Sequence, residues 1–85
     1  MGRYFFDISD RKFIRDEVGS ELPDLTAARR EAVDAMAELL KGRGDEFWSG
    51  DEWELHCRDE HGIYLFTLTF MGTNAPATRG SAPAV

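Results

Sequence analysis

The chain reads as an α+β domain of ββαββ order, with one four-stranded, largely antiparallel sheet and one helix packed on a single face. Three observations predict it. Residues 3–8 and 53–58 alternate apolar with polar, the period of a half-buried strand. Residues 25–40 carry apolar side chains three and four apart, the period of a helix. Residues 63–71 are apolar or β-branched on both faces, as a strand inside a sheet requires.

In chain order, Tyr4, Phe6 and Ile8 share one face of the first strand, with Arg3, Phe5 and Asp7 on the other. Ser9-Asp10-Arg11 supplies turn chemistry, because short polar side chains bond nearby amides. Lys12 to Asp16 is the return strand. Its basic residues on both sides suit an edge, where charge discourages stray pairing. Asp24 is a good helix N-cap, and Leu25, Ala28, Ala32, Met36 and Leu39 form the apolar stripe behind it. Gly42 or Gly44 closes the helix in the left-handed conformation. Residues 45–52 read as a polar loop interrupted by Phe47 and Trp48. Trp53, Leu55 and Cys57 then alternate with Glu54, His56 and Arg58. Asp59-Glu60-His61-Gly62 is a turn into the last strand, Ile63 to Met71, which is expected to be central. The domain spans residues 1–71, and residues 72–85, rich in Gly, Ala and Pro, read as a disordered tail.

With 85 residues the chain makes one domain, and one this small buries only about 60% of its unfolded surface. Dense aromatic packing or self-association could supplement so small a core. A lone cysteine, Cys57, cannot form an intrachain bridge. Ten basic residues against sixteen acidic ones give a net charge of -6. That sign opposes nucleic acid, whose affinity comes from neutralised phosphates, and anionic membrane surfaces. No apolar run approaches the roughly 18 residues of a membrane span, and Met1 to Asp7 lacks the apolar stretch of a secretory signal. A cytoplasmic location follows, where a free thiol is ordinary.

Candidate sites are few. His56, Cys57 and His61 are zinc-ligand types, but alternation sends His56 and Cys57 to opposite faces and no second ligand pair exists. The acidic pairs Asp16-Glu17, Asp45-Glu46, Asp51-Glu52 and Asp59-Glu60 lack the spacing of a calcium loop and read as solvated turn residues. Cys57 on a core-facing strand reads as inert packing. Arg3, Arg11, Lys12 and Arg15 could form a local basic patch, with Phe5 available to stack a base. No catalytic residue, metal ligand or cofactor is assigned. Phe47, Trp48 and Trp53 could line a small-molecule pocket or cap the open end of the core. Phe5, Ile63 and Leu65 fall on the sheet face away from the helix. One helix covers one face, so this second apolar face calls for a partner, and a homodimer through that face or across an edge strand fits so small a domain.

Taken together, Arg3-Tyr4-Phe5-Phe6, Asp16-Glu17-Val18-Gly19, Glu21-Leu22-Pro23-Asp24-Leu25, Ala28-Arg29-Arg30-Glu31-Ala32, Trp53-Glu54 and Asp59-Glu60-His61-Gly62 resemble a bacterial family of unknown function, number six-eight-nine-four. The likeness runs over residues 3–70. It implies a small bacterial protein, with no assigned activity and no catalytic residues to carry over. Residues 4–40 also resemble, more weakly, HicB-type antitoxin domains, which run strand, strand, then a Pro-Asp-Leu entry to an Ala-rich helix. The expectation is a non-enzymatic accessory or interaction module, homodimeric, with a further protein partner possible. The alternative is an antitoxin-like regulator of a small toxin or nucleic acid.

Overall fold

A computed structural model describes residues 2–50 and 52–75. Residues 76–85, most of the expected tail, lie outside the described residues. In chain order the elements are β1 (Gly2–Ser9), β2 (Phe13–Ile14), β3 (Ser20–Leu22), α1 (Leu25–Leu40), α2 (Gly44–Ser49), β4 (Trp53–Asp59) and β5 (Tyr64–Phe70). The class is α+β, with one antiparallel sheet and one main helix, as expected. No helix among the described residues is long and apolar enough to cross a membrane.

The sheet runs β2-β1-β4-β5, with β3 also on the outer side of β1. The interior positions therefore belong to β1 and to β4, which pairs with β1 on one side and β5 on the other. The expectation that Ile63 to Met71 is central is corrected: β5 is an edge strand. The two-sided apolar pattern misled because its faces are not both buried. Phe66, Leu68 and Phe70 are half-buried toward the core, whereas Thr67 and Thr69 are exposed. In β4 the alternation is the better guide, with Trp53, Leu55 and Cys57 fully buried.

The register aligns the apolar rows. Phe6 faces Cys57, which faces Phe66, and Ile8 faces Leu55, which faces Leu68. Asp24 starts α1 by accepting the Ala27 amide at 2.8 Å, and Gly42, at φ +78, closes it. Ala28, Ala32 and Met36 are its buried stripe, and the small alanines let the helix lie close to the sheet. Its main contacts are to β3 and β4. The core is Ala32, Met36, Trp53 and Leu55, flanked by Phe6, Ile8, Phe47 and the half-buried row of β5.

Three local features depart from expectation. The return strand is only Phe13–Ile14, and Ser20–Leu22 adds a second short strand to the same edge. The loop after α1 contains the helix α2, whose Phe47 ring meets Trp53 edge to face at 5.5 Å. A β-bulge interrupts β5: Cys57 opposes Phe66 but Arg58 opposes Tyr64, so Leu65 is the extra residue. The bulge moves Tyr64 off the helix side and onto the open face, where its ring meets His56.

A buried ion pair and an unguarded sheet edge

On the open face β1 and β4 place Asp7 and Arg58 side by side. Asp7 is fully buried and Arg58 nearly so. Arg58 Nε donates to Asp7 Oδ2 at 2.9 Å, and its Nη2 reaches Oδ1 at 3.3 Å and the Asp16 carbonyl at 2.7 Å. The Asp16 amide donates to Asp7 Oδ1 at 2.9 Å, and the Tyr64 hydroxyl reaches Oδ2 at 3.4 Å. Burial alone would raise the Asp7 pKa; the Arg58 hydrogen bond, the Asp16 amide and the nearby arginine charges outweigh it and hold the carboxyl below its ordinary value.

Asp16 is no solvated turn residue. Its carboxylate accepts the Phe6 amide at 3.1 Å and the Val18 and Gly19 amides at 3.0 Å each. Neither β2 nor β3 reaches Phe6, so the side chain supplies the acceptor that a neighbouring strand would have offered. Those amide bonds and Arg58 lower its pKa against the opposing effect of burial, which is the largest single influence. Asp59 likewise accepts the His61 and Ile63 amides, each at 2.9 Å, and so shapes its turn.

This cluster corrects the expected apolar second face. Segment 15–19 folds over it, and Phe5 is half-buried, its ring packed against Arg58 and Gly19. The Arg58 guanidinium lies 4.5 Å from the Phe5 ring centroid, and a Cβ built on Gly19 would come within 2.8 Å of the ring. Leu65, re-aimed by the bulge, turns from that face to a hollow of about 290 Å³ that it lines with Tyr4 and Leu25. Ile63 sits in the turn, 58% exposed. Phe5, Ile63 and Leu65 therefore form no contiguous patch.

The aromatic trio is likewise divided. Trp53 is fully buried in the core, with Phe47 against it and the Arg43 guanidinium 4.6 Å from its ring centroid. Arg43 in turn bonds the buried Asp10 at 3.1 Å, and pairs with Glu46. Trp48 stands apart, 59% exposed, its ring lying where a Cβ on Gly72 would go. The trio lines neither the hollow at Leu65 nor a second one bounded by Gly50, Glu52, Met71 and Gly72. Cys57 is buried, and desolvation together with the charges of Asp59 and Asp7 pushes its thiol up to about 11, which leaves it protonated and unreactive at neutral pH.

The feature that sequence reading missed is the edge. Phe6 directs its amide away from β4, toward Asp16. Antiparallel geometry alternates along and across strands, so Cys57 and Phe66 bond to each other, and Thr67 and Thr69 turn their backbone N–H and C=O groups outward from the sheet. From Tyr64 to Phe70 this edge has no charge, proline or glycine. On the open face the exposed hydroxyl of Thr67 is within 3.0 Å of His56 Nδ1, and His56 Nε2 is 3.3 Å from Glu54. This acid–imidazole–hydroxyl row stands on flat sheet outside both hollows, so its visible effect is to orient Thr67.

Among the described residues, the fold and this surface define a small α+β domain with one helix-covered face, one face locked by a buried ion pair, and one open edge. The sequence profile of the family described as Domain of unknown function (DUF6894) matches residues 3–71, and the chain belongs to that family. Curated proteins and solved structures yield no match, and the likeness to HicB-type antitoxins is not among the findings.

Proposed function

We propose that this protein is a non-enzymatic interaction module that works as a homodimer, pairing two copies through β5. The observation that carries the reading is the contrast between the two sheet edges. The β2/β3 edge is broken into strands of two and three residues, flanked by Lys12, Arg15 and Glu21, with its gap filled by Asp16. Short strands, charge and interruption are how proteins blunt an edge against pairing. The β5 edge has seven strand residues and no charge to guard them. A protein with one pairing edge closes into a two-fold dimer, whereas two such edges would propagate a filament. Of the two routes to a dimer that the sequence leaves open, the second sheet face and an edge strand, this reading takes the edge. A cytoplasmic setting suits its buried, reduced Cys57.

Light scattering at high micromolar concentration tests this. The wild type is expected at twice the chain mass. Thr69→Pro removes an N–H that points outward from the edge and is unpaired in the single copy, and is expected to give a folded monomer, with unchanged far-ultraviolet circular dichroism. A monomeric wild type would overturn the proposal.

A further inference from the structure

We infer that the two-fold axis of this assembly passes beside Leu68, so that Thr67 of each copy pairs with Thr69 of the other; this rests on the edge pairing proposed above. The bulge at Leu65 leaves Phe66–Phe70 as the regular part of β5, and Leu68 is its midpoint. An axis there matches the regular segment against itself over its whole length. Thr67 and Thr69, whose backbone groups point outward, then form two hydrogen-bonded pairs per dimer. An axis at Thr67 would set the bulged Leu65 against Thr69, and one at Thr69 would carry pairing beyond the strand end.

Side-chain chemistry favours the same register. On the helix side, Phe66 meets the partner's Phe70 and Leu68 meets the partner's Leu68, a continuous apolar row. Those residues are half-buried in the single chain because α1 packs chiefly on β3 and β4. On the open face, threonine meets threonine, a pair able to hydrogen-bond across strands. The ends of β5 are complementary as well. Ile63 and Leu65 at its start and Met71 and Trp48 at its end are exposed apolar residues. Antiparallel pairing about Leu68 brings the partner's Met71, just past its strand end, level with Leu65.

Cysteine cross-linking under mild oxidation reads the register directly. Directly paired residues lie about 5.5 Å apart at Cα, within disulfide range, whereas diagonal neighbours lie about 7–8 Å apart and are not bridged. Thr67→Cys mixed with Thr69→Cys is expected to give a covalent heterodimer, each variant alone staying unlinked. The wild type, whose Cys57 is buried, is the control. Linkage within Thr67→Cys alone, or within Thr69→Cys alone, would move the axis and overturn the inference. A wild type that is dimeric by mass with no linkage in the mixture would overturn this register while leaving self-association standing. A monomeric wild type would remove both.

Discussion

Asp7 owes its burial to two partners distant in sequence, Arg58 and the Asp16 amide, and to the segment they hold in place. Breaking a buried pair strands the remaining charge, so Asp7→Asn is expected to cost about 3–5 kcal/mol, read from urea unfolding. That is a large share of the 5–15 kcal/mol typical of a whole domain. The same carboxyls set a pH response. Asp7 and Asp16 have folded pKa values below the ordinary 3.8. Their contribution is therefore complete above the unfolded value and lost as pH falls through the folded one. Thermal midpoints are expected to be insensitive to these two groups from neutrality to about pH 5, and to fall below pH 4. Asp16→Asn should lose part of that acid-side slope; an unchanged slope would show that other carboxylates carry it. Sequence alternation placed Asp7 correctly on the open face. It could not show that Arg58 lies beside it, because that contact depends on the β1–β4 register, and an acid on an outward face ordinarily meets water.

At the scale of elements, legibility followed the strength of the periodic signal. Helix α1 was readable because its stripe and the Asp24 cap agree. The short pieces were not: β3 has three residues and α2 six, too few for a period to declare itself. The bulge was invisible because one extra residue leaves composition unchanged while reversing the face of Tyr64. The Asp16-Glu17-Val18-Gly19 segment is a motif whose reason is geometric. Gly19 sits at φ +76 against the Phe5 ring, where a side chain would meet both backbone strain and a clash. Gly19→Ala is expected to destabilise by about 1–3 kcal/mol, measured by chemical denaturation. A neutral result would show that segment 15–19 can shift without disturbing the Asp7–Arg58 pair.

Among the described residues, the helix covers one part of one face, the ion pair and its loop cover the other face, and the β5 edge remains. A domain of 85 residues has little stability to spare, and a dimer would add to it in a concentration-dependent way. If two copies pair through β5, unfolding consumes the dimer, and the thermal midpoint must rise with protein concentration. Leu65→Lys separates this from stability intrinsic to one chain. Leu65 is partly exposed at the rim of the hollow, so a lysine there can reach water in the single copy. In the dimer it would lie beside the partner's Met71 and lose that hydration. The wild-type midpoint is thus expected to climb over a hundredfold range of concentration, and the Leu65→Lys midpoint to stay level near the dilute wild-type value. A wild-type midpoint independent of concentration, at loadings where light scattering reports a dimer, would mean that the association leaves folding energetics untouched. A sheet continuous through both copies would then be the wrong description of the assembly.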